Sequence, residues 1–339
     1  MSLAASAIAA PRRRPWLVFA VTTVALWGVW GALSPLSAEH GFPETLVYCV
    51  WALTMIPPAL YILWRSGWAL EHSPRAIAYG MAIGLLGAGG QMLLFHTLTI
   101  GPAYFVFPII SLSPVVTIAL SFAFLRERTG WSGALGIVLA LVALPMLDLS
   151  FGRGISGGLG WFVQSLLIML AWGVQAYFMR LANHTVRAES IFFYMMLGGL
   201  LLAPVALAMT DWSQPINTGI DGPWMTAAIQ LLNAIGALTL VYAFRHGKAI
   251  VVAPLTNAGA PLVTAALALV FASVVPGPLK MIGLVLALIA SLLLVLEPEA
   301  PAEAGHDPDV STPSPEWTPT SCKSSPSSSP ATSRDTPVA

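Results

Sequence analysis

Polar and turn-forming positions cut this chain into ten apolar runs. They fall at 16–36, 44–64, 76–99, 102–125, 131–149, 158–180, 189–210, 223–244, 249–273 and 279–296. Each approaches the roughly 20 residues an α-helix needs to cross about 30 Å of hydrocarbon. The breaks at 41–43, 66–74, 101–102, 126–130, 152–158, 215–223 and 276–278 carry Gly, Pro or charge. The pattern predicts an all-α integral membrane protein with ten transmembrane helices. Beyond Glu297 the chain turns to Pro, Ser and Thr with scattered charge, a composition unable to bury enough apolar surface to order itself. The predicted organisation is a cytoplasmic N-terminal segment at 1–15, five helices at 16–149 and an external loop at 150–157. Five more helices follow at 158–297, then a disordered cytoplasmic tail at 298–339.

Composition agrees with the pattern. Hydrophobic residues make up 57% of the chain and charged residues 9%, against about a quarter charged in a soluble domain. So little charge cannot wet the whole surface, and lipid is the partner that fits. The opening PRRRPW resembles the basic region of an export signal, but the apolar run after it is too long for one and reads as the first span. Net charge is zero and the basic residues are dispersed, which excludes a nucleic-acid partner. Cys49 lies in an apolar run and Cys322 in the polar tail, so neither a disulfide nor a metal site is predicted.

Lysine and arginine set the orientation. With the N-terminus in the cytoplasm, 13 of the 15 basic residues fall inside, and only Arg153 and Lys280 fall outside. Both termini are then cytoplasmic and the protein is placed in the inner (plasma) membrane.

A phrase is written twice: LWGVWG at 26–31 and AWGVQA at 171–176. At an offset of 145, Trp16 matches Trp161, Trp27 matches Trp172, Gly28 matches Gly173 and Glu44 matches Glu189. At 146, Gly101 matches Gly247 and Pro108 matches Pro254; at 147, Gly136 matches Gly283. A slowly drifting offset is what duplication followed by small loop insertions leaves. Five spans per copy is an odd number, so the second copy would enter the membrane from the other side, giving two five-helix inverted repeats. Such halves can exchange conformations, which suits alternating access to a site near the midplane.

The stretch SPVVTIALSFAFLRER (113–128), after TLTIGPAYFVFPIISL, resembles the drug/metabolite transporter superfamily, EamA-type branch. The matching features are Pro114 in the fourth span and Glu127 where that span ends among basic residues. The resemblance spans residues 16–297 in span number, repeat and topology. It implies a ten-span carrier of small organic metabolites, often an exporter, with members that carry amino acids. The second copy, APLVTAALALVFASVV, keeps Pro261 but has no acid near Val274, where Glu127 would map.

Trp27 and Trp172 each lie 11 residues inside an earlier tryptophan, about 16 Å along a helix and so near the midplane. Trp30 and Gln175 follow by three, on the same helical face. These four either line a site or pack between helices beside their glycines. Gln91 and Asn233 are amides deep in apolar sequence; facing lipid would cost each a few kcal/mol, so they face a cavity or an interhelical hydrogen bond. Pro108, Pro114, Pro254 and Pro261 free backbone carbonyls, with Ser111 and Asn257 at equivalent places beside them. Interrupted helices at matching positions point to a transport site, although simple kinking is the other reading. His96, equivalent to Tyr242, is a candidate for proton linkage, yet it sits about 140° around the helix from Gln91.

No acid lies mid-span, which argues against export of hydrophobic cations. Glu44 and Glu189 read as helix N-terminal acids. GRGISGG at 152–158 matches GxGxxG without a preceding strand, and neither GxxxxGK[ST] nor HExxH occurs. No cofactor or metal is predicted, and the protein is read as no enzyme. Gly80 and Gly84 form a GxxxG suited to tight helix packing. The expectation is a secondary exporter of small neutral or zwitterionic metabolites such as amino acids, working in the bilayer as a monomer or homodimer. A sugar or nucleotide-sugar carrier, a lipid-modifying membrane enzyme (His96, His40 or Asp148 its only material) and a scaffold are the alternatives.

Overall fold

In the computed structural model, which describes residues 14–100, 106, 109–148, 160–272 and 277–296, the apolar runs are helices. Among the described residues there is no strand. Residues 1–13, Pro108, the loop at 150–157 and the tail at 298–339 lie outside the described residues.

Proline decides where the first two runs divide. α1 (Pro15–Leu33) starts on a proline and stops before Pro35, which begins the short α2 (Pro35–Glu39). The second run splits at Met55 into α3 (Glu44–Thr54) and α4 (Ile56–Arg65). Pro57 and Pro58 cannot donate to residues one turn earlier, and the helical ladder is interrupted there. α4 closes on Gly67 and Trp68, both at positive φ, with the Trp68 N–H donating to Leu63 O at 2.7 Å. α5 (Pro74–Ile100) is launched by the Ser73 hydroxyl, which accepts the Ala76 N–H at 3.1 Å.

The fourth run is interrupted at Ser111 and Leu112, so α6 (Ser113–Phe124) has Pro114 in its first turn rather than mid-helix. α7 spans Trp131–Asp148, α8 Gly160–Ala182 and α9 Ala188–Met209. A π-turn at Ile220–Trp224 leads into α10 (Met225–His246). The ninth run differs from its reading as an interrupted helix: α11 (Ala249–Ala272) passes through Pro254 and Pro261 without a break. Between the two prolines, Thr256 Oγ1 and Asn257 Nδ2 both donate to carbonyls of the preceding turn, at Val252 and Ala253. α12 is Pro278–Val295.

Among the described residues, seven helical segments are long and apolar enough to span a bilayer, and three more, Ser113–Phe124, Trp131–Met146 and Ala249–Thr264, are shorter and apolar. Large apolar side chains such as Val18, Phe122, Leu201 and Leu292 lie on the outside. This is the inverse of a soluble surface and suits lipid contact.

Packing partners come in related pairs. α1 lies along α10 and α11, while α8 lies along α5 and α6; α7 and α12 pack on each other. The α5–α9 crossing is set by glycine, because a Cβ on Gly198 would sit 2.8 Å from the Gly84 backbone. Gly80 likewise accepts the Tyr194 side chain, so the GxxxG serves close helix packing. Glu44 and Glu189 do sit in first helical turns.

Candidate functional site

Two tryptophans make the same joint at two places. The Trp27 indole of α1 lies on Gly236 of α10, where no Cβ would fit, and its N–H donates to Asn233 O at 3.3 Å. The Trp172 indole of α8 lies on Gly90 of α5 in the same way and donates to Gly87 O at 3.2 Å. Residues 233 and 236 exceed 87 and 90 by the same 146 that relates the sequence copies. The glycine after each tryptophan makes the reciprocal contact. Gly28 O accepts Thr264 Oγ1 at 2.8 Å and Gly173 O accepts Thr117 Oγ1 at 3.0 Å. Each joint takes its tryptophan from one copy and its glycine from the other.

Around the first joint stands a group of oriented amides. Trp51 Nε1 donates to Asn233 Oδ1 at 2.8 Å, and Trp30 Nε1 donates to Gln230 Oε1 at 3.1 Å. An indole N–H can only donate, so both amides must turn their oxygens to tryptophan and their NH2 groups elsewhere. Around the second joint, the Gln175 amide lies against Gly87, and Gln91 is one turn farther along α5. Among the described residues neither Gln91 nor Gln175 has a hydrogen-bond partner for its amide, although both are partly buried. An amide without partners in such surroundings costs a few kcal/mol, which water or a polar ligand would recover. The centre offers donors and apolar aromatic surface, with no carboxylate among the described residues to hold a cation.

The structure thus brings Trp27, Trp30 and Asn233 together, and sets Trp172, Gln175 and Gln91 around the equivalent joint. Asn257 is half-buried and donates to Ala253 O of its own helix at 2.9 Å. Ser111 lies in the break before α6 and is half-buried. His96 is exposed, while its buried neighbour Thr97 donates to Gln164 Oε1 on α8 at 2.9 Å. Among the described residues no cluster of His, Cys, Asp or Glu could hold a metal.

Gln230, Trp51 and Arg180 were not marked by sequence reasoning, which noted Glu127 as the acid ending the fourth span but gave it no partner. Gln230 was findable, one turn before Asn233 on the same face. Trp51 was not, because nothing in a single sequence pairs the second run with the eighth. Glu127 Oε1 accepts Arg180 Nε at 2.8 Å, and Oε2 accepts the Ile250 N–H at the start of α11 at 3.2 Å. Arg180 also donates to Phe244 O at 2.8 Å and Arg245 O at 3.3 Å. The ends of α6, α8 and α10 and the start of α11 therefore meet on one carboxylate and one guanidinium.

The sequence pattern of the EamA-like transporter family matches the chain twice, over residues 14–147 and 159–296. Protein LicB of Haemophilus influenzae is 27% identical over 133 residues, covering 35% of this chain and 44% of LicB. Protein RarD of Streptomyces exfoliatus is 25% identical over 150 residues, covering 42% and 46%. The chain thus spans about half the length of the curated relatives it matches. A solved crystal structure superposes with a TM-score of 0.69 at 16% identity, covering 84% of this chain and 98% of that one, and so shares its fold.

Proposed function

Because the chain belongs to the EamA-like transporter family, and so is a multi-pass membrane transporter of small substrates, we propose that it exports a small neutral or zwitterionic metabolite, such as an amino acid, by alternating access. In this reading ten helices form two inverted five-helix repeats in the inner membrane, both termini cytoplasmic, and the substrate binds between the repeats near Trp30, Gln91, Gln175, Gln230 and Asn233. Thirteen of 15 basic residues on one side support that orientation, and the paired packing of α1 on α10 and α8 on α5 supports the inversion. The observation that carries the substrate class is the absence of fixed charge among these oriented amides. Their N–H groups suit a carboxylate or carbonyl, the free amide oxygens of Gln91 and Gln175 can accept from an ammonium, the indoles suit an apolar side chain, and a lone cation would find no counter-ion.

The test is counterflow in proteoliposomes against a panel of labelled amino acids, sugars and organic cations. Amino acids are expected to exchange. Gln175→Leu and Gln91→Leu are expected to cut that exchange about tenfold or more without lowering thermal stability, since no internal bond is lost. Exchange of sugars alone, or Gln variants with wild-type rates, would overturn the assignment.

A further inference from the structure

Away from the midplane, α6 and α7 enclose an apolar groove of about 470 Å³ that the transport reading does not use. Its walls are Val115, Ile118 and Phe122 of α6, Ile137 and Leu141 of α7, and Ile250 at the start of α11. Along α6 the walls run from Val115 to Phe122, seven residues or about 11 Å, and the lining continues to Thr129. That is most of the depth of one leaflet in a hydrocarbon core of roughly 30 Å. Val115 and Phe122 are 43% and 62% exposed, so the groove opens sideways to the bilayer. Water could not be hydrogen-bonded there, and a void would forfeit dispersion contacts along every wall.

The other end is charged. The lining finishes at Glu127, Arg128 and Thr129. The Glu127 carboxylate is committed to Arg180 and the Ile250 N–H. Arg126 and Arg128 are exposed, and among the described residues neither guanidinium has a hydrogen-bond or ion-pair partner. Lys248 Nζ donates to Arg128 O at 2.7 Å, which fixes this turn against the start of α11, and Arg126 holds it at a φ of 54°. An apolar channel that ends on two unpaired cations has the character of a site for part of one acyl chain with an anionic headgroup beyond it. We propose that this groove binds one acyl chain of an anionic phospholipid whose headgroup phosphate is held by Arg126 and Arg128.

The experiment uses the full-length protein in liposomes containing either phosphatidylglycerol or phosphatidylcholine with a photoactivatable group in one acyl chain. Labelled peptides are then mapped by mass spectrometry. Phosphatidylglycerol is expected to label the groove residues of α6 and α7 on the order of tenfold more than phosphatidylcholine at equal mole fraction. Replacing both Arg126→Gln and Arg128→Gln should bring the two lipids level without changing the melting temperature, because neither side chain has a protein partner to lose. Ala119→Trp, which fills the groove from its exposed side, should abolish labelling by either lipid. Equal labelling of the wild type by the two lipids, or a headgroup preference that survives loss of both arginines, would overturn the proposal.

Discussion

Neutralising Glu127 tests whether the joint with Arg180 is a gate. The two side chains are 7% and 16% exposed, so the pair is mostly withdrawn from solvent. Removing one partner from a fully buried pair costs about 3–5 kcal/mol. In Glu127→Gln the amide oxygen can still accept the Ile250 N–H, and Arg180 keeps its carbonyls at Phe244 and Arg245. With this residual bonding and partial exposure the loss falls to about 2 kcal/mol. If the pair is intact only when that face is closed, the ratio of closed to open falls by roughly thirtyfold. The reporter is Val251→Cys, 3% exposed in the first turn of α11, in a background with Cys49 and Cys322 replaced. Labelling by a membrane-impermeant maleimide applied from the Glu127 face should accelerate by up to that factor. Arg180→Gln should act in the same direction, and the double variant should add little, since both remove one interaction. A control at Ile229→Cys, 4% exposed near the opposite end of α10, should not accelerate. Less than a threefold change at position 251, or an equal rise at both positions, would mean the pair merely stabilises the fold.

Two further outcomes follow from the tryptophan joints. Gly236→Ala and Gly90→Ala each place a methyl group into an indole ring, and each should destabilise the protein by about 1–3 kcal/mol through overpacking; thermal melts in detergent that match wild type would refute the close approach. Trp51→Phe keeps an aromatic, though smaller, ring and removes the donor to Asn233 Oδ1, so a loss of about 1 kcal/mol or more is expected, together with altered substrate affinity once the amide can turn; unchanged KM in counterflow would separate Asn233 from the site.

The helical runs were legible because bilayer thickness and the polarity of the breaks leave few alternatives. Their interruptions were less so. Proline's missing donor is readable at Pro57 and Pro58, and the chain does break there. At Pro254 and Pro261 the same residue type leaves α11 continuous, so a proline by itself does not decide whether a helix breaks. Periodicity placed Trp27 and Gln175 on one stripe of their helices, but a stripe says nothing of what opposes it. Gly236 and Gly87 become meaningful only once α10 and α5 are known to be the facing helices. Thr97 shows the converse: adjacent to the conspicuous His96, it is the residue that faces Gln164 on α8.

The crossed arrangement of the tryptophan joints has an evolutionary consequence. Each copy holds the knob of one contact and the socket of the other, so neither can be remodelled alone. A change at Trp27 is answered in the second half of the chain at Gly236, and one at Trp172 in the first half at Gly90. Two copies bound in this way are constrained together at their mutual contacts, while beside them Trp30 and its counterpart Gln175 already differ. On the proposed site, divergence there would let a duplicated scaffold present unlike groups to the two ends of one asymmetric solute.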